Sequence, residues 1–203
     1  MAIVKQGLAL LNEVGLDGLS LRRLARELGV QAPALYRHFA GKDDLLHAMA
    51  DAMFDAEMAA LDRPPPGADW GDWLAERSRA VRRAMLSYRD GGRLREHMDD
   101  PADHWPGLEL LLQMMEEAGF TAEEALSAVF AVGNHVLGSV IAEQESRQFD
   151  RPSGRDVHID PRRFPRLARA ATLRTCGRDF EGEFEYGLKV FIAGLRGMSA
   201  RAR

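Results

Sequence analysis

The sequence predicts an all-α protein. Apolar residues recur three and four positions apart along almost the whole 203-residue chain, and no alternating run bounded by hairpin turns interrupts them. A composition of 46% hydrophobic residues suits a globular chain with a buried core, one medium domain or a small one joined to a larger one. No uninterrupted apolar run approaches the roughly 20 residues that a bilayer span needs, so no membrane partner is expected.

The first predicted helix carries Ile3, Val4, Leu8, Leu11 and Val14 on one stripe and stops at Gly15. Ser20 is a good N-cap for a second, because its hydroxyl can accept from an unpaired first-turn N–H; Leu21, Leu24 and Leu28 form its buried side, and Gly29 ends it. A third starts around Ala32 and Pro33, where proline costs least, and runs to about Phe39. Ala40 and Gly41 break it. Lys42 then opens a longer helix with Leu45, Leu46, Met49 and Met53 on one face.

Two short helices joined by a tight glycine-containing turn form a helix-turn-helix, whose second helix fits the DNA major groove. If Leu35 and Phe39 face the core, Ala32, Ala34, Arg37 and His38 lie on the exposed sides with Tyr36 at the rim. Small residues at that front let the backbone approach base methyl groups, and Arg22, Arg37, His38 and Lys42 bracket it with donors for phosphates or base edges. The net charge is −4, and Lys5, Arg22, Arg23, Arg26, Arg37 and Lys42 only just outnumber Glu13, Asp17, Glu27, Asp43 and Asp44 up to Ala50. Any attraction to nucleic acid is therefore local. Spacing alone also admits a plain helical hairpin with a solvated charged face.

Past Leu61, "LDRPPPGADW" is a proline-rich break that marks a junction. A helix resumes from Trp70 to Tyr88, and the breaker-rich "RDGGRLREHMDDPADHWPG" that follows reads as a short helix and a loop, with Gly91, Gly92, Pro101 and Pro106. A helix from Thr121 to about Gln144 is apolar on more than one face; "SRQFDRPSGRDVHIDPRRFP" reads as a long loop; and Phe180, Phe184, Leu188, Phe191 and Leu195 form a stripe on a last helix over 179–197.

The stretch "GLDGLSLRRLARELGVQAPALYRHFAGKDDLLHAM" resembles the N-terminal DNA-binding domain of the TetR family of bacterial transcription regulators. "WLAERSRAVRRAMLSYRDGGRL", "EEAGFTAEEALSAVFAVGNHVLGSVIAEQE" and "FEYGLKVFIAGL" extend the resemblance to the branch with a tetracycline-repressor-like C-terminal domain. The resemblance implies a three-helix DNA-binding domain over 1–46 and a ligand-binding and dimerisation domain over 47–203, joined by a helix from about 42 to 61 that swings when ligand binds, with Pro64 to Pro66 tuning the swing. It matches Arg22 to an arginine that reads a guanine, Pro33 and Ala34 to residues in apolar contact with bases, and Tyr36, His38 and Lys42 to phosphate anchors. Ala32 stands where the branch has a base-reading glutamine and Arg37 where it has tryptophan, so a different operator is expected.

In that branch the drug arrives as a magnesium chelate, held by a histidine and, through water, a glutamate. Arg95 and Ala142 occupy those positions, Arg77 replaces a ligand-binding amide and Met58 a histidine. A guanidinium cannot coordinate magnesium, whose ligands are hard oxygens. Val81, Leu108, Leu111, Met115 and Val129 match the remaining pocket positions, so the resemblance implies an apolar pocket with one or two arginines for an amphiphilic small molecule, acidic or polyketide-like. Simple core packing accounts for Val81, Leu108 or Val129 taken singly, and Arg77 and Arg95 fit a solvent-facing place equally well.

A rival cluster, Glu96, His97, Asp99, Asp100, Asp103 and His104, lacks a defined helical pairing for a metal and reads as a charged loop, so neither metal nor cofactor is expected. There is no G-x-S-x-G and no phosphate-cradling glycine loop, and Cys176 has no evident histidine partner, so catalysis is not expected. One cysteine allows no intrachain disulfide, and the N-terminus lacks a secretory pattern; a cytoplasmic place is expected. A homodimer is expected because one recognition helix covers few base pairs whereas a symmetric pair reads half-sites roughly 34 Å apart. By resemblance it forms through the helices at about 121–144 and 179–197. The reading is a ligand-responsive repressor on double-stranded operator DNA; the alternative is an α-helical binding or enzymatic domain that does not act on DNA.

Overall fold

The computed structural model describes residues 2–61, 63–98, 105–148, 159–172 and 178–199. Among these residues the regular structure is helical: α1 (Ala2–Gly18), α2 (Leu21–Glu27), α3 (Ala32–Leu35), α4 (Lys42–Met58), α5 (Trp70–Leu86), α6 (Gly91–Leu94), α7 (Trp105–Glu117), α8 (Ala122–Gln148), α9 (Pro165–Thr172) and α10 (Phe180–Ser199). Single 3₁₀ turns extend α4 over Ala59–Leu61 and α6 over Arg95–His97.

Local chemistry explains most of the boundaries. Gly15 takes φ 70, ψ 173, which kinks α1 where a stop is expected. The Ser20 hydroxyl accepts from the Arg23 N–H at 3.2 Å. Gly29, at φ 67, closes α2 with its own N–H on the Arg26 carbonyl and the Val30 N–H on the Ala25 carbonyl. Helix α3 is shorter than its spacing suggests: it ends at Leu35, and a closing turn follows in which the N–H groups of His38 and Phe39 both donate to the Leu35 carbonyl. Thr121 and Glu124 cap α8 reciprocally, hydroxyl to the Glu124 N–H at 3.2 Å and carboxylate to the Thr121 N–H at 2.8 Å, and the Thr121 N–H and then its hydroxyl, both donating to that carboxylate, hold the Glu124 carboxyl below its ordinary pKa.

Two prolines read as breakers prove to be helix starts. Pro106 sits in the first turn of α7 and Pro165 opens α9, because a first-turn N–H has no partner to lose. Helix α8 also runs to Gln148, past the expected end. Residues 149–158 of the expected loop lie outside the described residues, as do Cys176 and Asp99, Asp100, Asp103 and His104 of the acidic cluster.

Helix α4 is the connecting element: it packs on α1 of the N-terminal bundle and on α5 and α6 of the larger body. Its buried side is Leu45, Leu46, Met49, Ala50, Met53, Phe54 and Met58. Helices α5, α8 and α10 pack on one another, tied by Arg82 of α5, which reaches Glu143 of α8 at 2.6 Å and Glu181 of α10 at 2.7 Å. Arg79 adds a two-pronged pair to Glu185 at 2.7 and 2.8 Å.

Helix α8 is, among the described residues, long and apolar enough over Ala122–Arg147 to cross a membrane by length and composition. The reason lies in two apolar faces. Ala125, Val132, Val136 and Val140 are buried against the body, while Leu126 and Phe130 point outward with the bare glycines 133 and 138. On α10 the inward face is Phe184, Leu188 and Ile192, and Tyr186, Val190, Phe191 and Met198 are exposed, so the expected stripe is divided between a buried and an exposed face.

Candidate functional site

At one end of α4, the turn from α2 to α3 presents a small convex face. Arg22, Pro33, Tyr36, Arg37 and His38 are exposed, and Ala32 and Ala34 are half-buried between them. Leu35 and Phe39, the helical neighbours, are buried and hold the face to the core. No ion pair or side-chain hydrogen bond occupies Arg22, Tyr36, Arg37 or His38 among the described residues, so their donors point to solvent. Lys42 differs: it is half-buried, and its ammonium donates to the Leu16 carbonyl at 2.9 Å, bracing α1 against α4. An ammonium has two further donors for a phosphate.

The body grips this bundle through the turn between α5 and α6. Asp90, buried and in the left-handed region at φ 58, accepts the Leu16 N–H on its Oδ2 at 2.8 Å. The Arg89 N–H donates to Asn12 Oδ1 at 2.7 Å, and Arg93 pairs with Asp17 at 3.0 Å. First by hydrogen bonding and then by charge, Arg93 holds the Asp17 carboxyl below its ordinary pKa. On the far side of the turn, the Gln144 amide of α8 donates to the Tyr88 carbonyl at 2.9 Å and accepts the Gly92 N–H at 3.1 Å.

The other end of α4 forms one wall of a cavity of about 240 Å³. Met58, Arg77, Val81, Arg95, Leu108, Leu111 and Val129 all line it. Met115 does not: it is buried one turn further along α7, where that helix closes on α5 and α8. Sequence reasoning missed Phe54 on α4, Met98, Trp105 on α7, and Phe130 and Val136 on α8. Val129, Val132, Gly133 and Val136 recur at helical spacing on α8, a signal that was available but also fits a core stripe.

Arg77 donates to the Leu61 carbonyl at 3.0 Å, and its guanidinium lies so near Gly107 that a Cβ there would sit 2.5 Å from it. Arg95, on the 3₁₀ turn after α6, makes no side-chain hydrogen bond or ion pair among the described residues. Glu96 is exposed and His97 half-buried beside it, His97 6.1 Å from the His47 ring of α4, and no group of three metal-ligating side chains occurs among the described residues.

A helix-turn-helix face and an apolar cavity, joined by one shared helix, define a DNA-binding transcription regulator. The chain belongs to the TetR family: residues 3–49 match the model of bacterial regulatory proteins of the tetR family, and residues 63–199 match the tetracyclin repressor-like C-terminal domain. It is 37% identical to the tetracycline repressor protein class A from transposon 1721 of Escherichia coli, over 95% of this chain and 88% of that one. A possible TetR family transcriptional regulator from Streptomyces coelicolor A3(2) shares the fold with a TM-score of 0.81 at 35% identity, over 97% of this chain and 98% of that one. The class A repressor in complex with 5a,6-anhydrotetracycline and magnesium aligns with a TM-score of 0.71 at 32% identity, over 96% and 95% of the two chains.

Proposed function

We propose that this regulator is a homodimeric repressor released from its operator by an amphiphilic molecule other than the tetracycline–magnesium chelate. One observation carries the reading: α4 carries Lys42 and packs on α1 of the N-terminal bundle, and at its end Phe54 and Met58 form a wall of the cavity. Over 17 residues it spans about 25 Å, so a ligand that displaces the cavity end displaces the reader. In this reading residues 1–46 are the reader and 47–203 the effector and dimer body, and the outward apolar faces of α8 and α10 are covered by a second copy. Gly133 and Gly138 have nothing within 4 Å of a would-be Cβ, which leaves room for a partner helix to approach closely.

Arg22 reads a base edge, Ala32, Pro33 and Ala34 lie against the groove, and Tyr36, Arg37, His38 and Lys42 hold the backbone. Titration of a fluorescent duplex from the gene's own upstream region tests this. Tyr36→Ala is expected to weaken binding about tenfold on every duplex, and Arg22→Ala to weaken it about tenfold or more on the operator alone. Lys42→Ala is the poorer probe, because it also releases Leu16. Binding unchanged in both Tyr36→Ala and Arg22→Ala would remove DNA reading from this face.

Tetracycline with magnesium is expected to leave the melting temperature unmoved, because the cavity presents guanidinium groups where a metal needs oxygen. A stabilisation that disappears with a chelator would overturn the exclusion of the chelate.

A further inference from the structure

We propose that the effector is an organic monoanion with a flat apolar body, a carboxylate or comparably acidic group, and that Arg95 is the residue that selects for its charge. The proposal rests on the reading of the cavity as the effector site. The charged side chains lining it, among the described residues, are Arg77 and Arg95, and no aspartate, glutamate or histidine lines it. Ser78 adds no donor, since its hydroxyl is committed to the Leu74 carbonyl at 2.7 Å. Among the described residues the two guanidinium groups are therefore the charged side-chain donors an occupant would meet, beside the neutral indole N–H of Trp105.

The rest of the wall is apolar, with Trp105, Phe130, Leu108 and Val129 offering broad surfaces suited to a flat body. Arg95 is exposed at the cavity, so a neutral occupant covers part of its hydration and returns no hydrogen bond for it. An anion returns a charge-assisted hydrogen bond, roughly twice as strong as a neutral one. Arg77 already donates to the Leu61 carbonyl, so the selective contact falls to Arg95. A cationic chelate would add like charge to the same space.

Two fluorescent probes with a common anilinonaphthalene body separate charge from shape: 8-anilinonaphthalene-1-sulfonate and the neutral N-phenyl-1-naphthylamine, titrated into the full-length protein. The anion is expected to bind at least about tenfold more tightly. Arg95→Gln should remove about tenfold of that preference while binding of the neutral probe is held or tightened. Leu108→Trp, or Val129→Phe if the first fails to fold by circular dichroism, should weaken both probes by filling the cavity. If filling the cavity weakens both probes but they bind equally well to the wild type, or if the preference survives Arg95→Gln, the charge selection fails and the cavity reading stands. If cavity filling changes neither, the cavity is not the site and both readings fall.

Discussion

Glu143→Ala is expected to destabilise the protein by about 3–5 kcal/mol, the penalty for stranding a buried charge. Arg82 is only 6% exposed, its guanidinium carbon 4.9 Å from the centre of the Phe184 ring, and among the described residues Glu143 is its one buried counter-charge. The second carboxylate, Glu181, is 67% exposed at its side chain and is screened by water, so it cannot replace Glu143. Urea unfolding at fixed protein concentration measures the loss as a lower midpoint with an unchanged slope. The double variant Arg82→Met with Glu143→Leu should recover most of it, since apolar replacement of a buried pair is commonly neutral. A loss under about 1 kcal/mol in Glu143→Ala would mean that Glu181 and solvent suffice, and that the three-helix frame does not depend on this pair.

Arg82 and Glu143 also show what a sequence hides. They are 61 positions apart, on helices whose apolar stripes could be read but whose facing could not. A stripe names the residues that seek burial; which helix buries them depends on packing between elements distant in the chain. Helix α10 is the example: its spacing fits two faces, and the one chosen, Phe184, Leu188 and Ile192, is fixed by contact with α8 and α5.

The exposed face proposed to read DNA was legible as a surface because all of it lies within one short stretch, where cap, glycine and helical period determine which side chains remain outside. Ser20, Gly29, Leu35 and Phe39 settle it locally. Lys42 was only half legible, for its bond to Leu16 joins positions 26 apart. Seven cavity residues were named through the family pattern, whereas Phe54, Trp105 and Phe130 carried no distinguishing local mark. An aromatic at helical spacing reads the same whether it fills a core or walls a void.

Asp90→Ala is expected to cost about 3 kcal/mol and lower the melting temperature by on the order of 10 °C. Two effects add. The Leu16 N–H loses its carboxylate acceptor in a buried position, and an alanine is forced into the left-handed region at φ 58. Asp90→Asn should lose far less, because an amide oxygen still accepts and asparagine tolerates that conformation. The position matters because it closes a second route between body and reader. Gln144 of α8 fixes the α5–α6 turn from behind, Asp90 grips Leu16 in front, and α6 continues directly into Arg95 at the cavity. Operator affinity without effector should therefore fall in Asp90→Ala and be nearly kept in Asp90→Asn at a temperature where both are folded. Equal operator binding by the two variants would reduce Asp90 to a stabilising contact and leave the connection between cavity and DNA to α4 and to the Arg89 and Arg93 contacts.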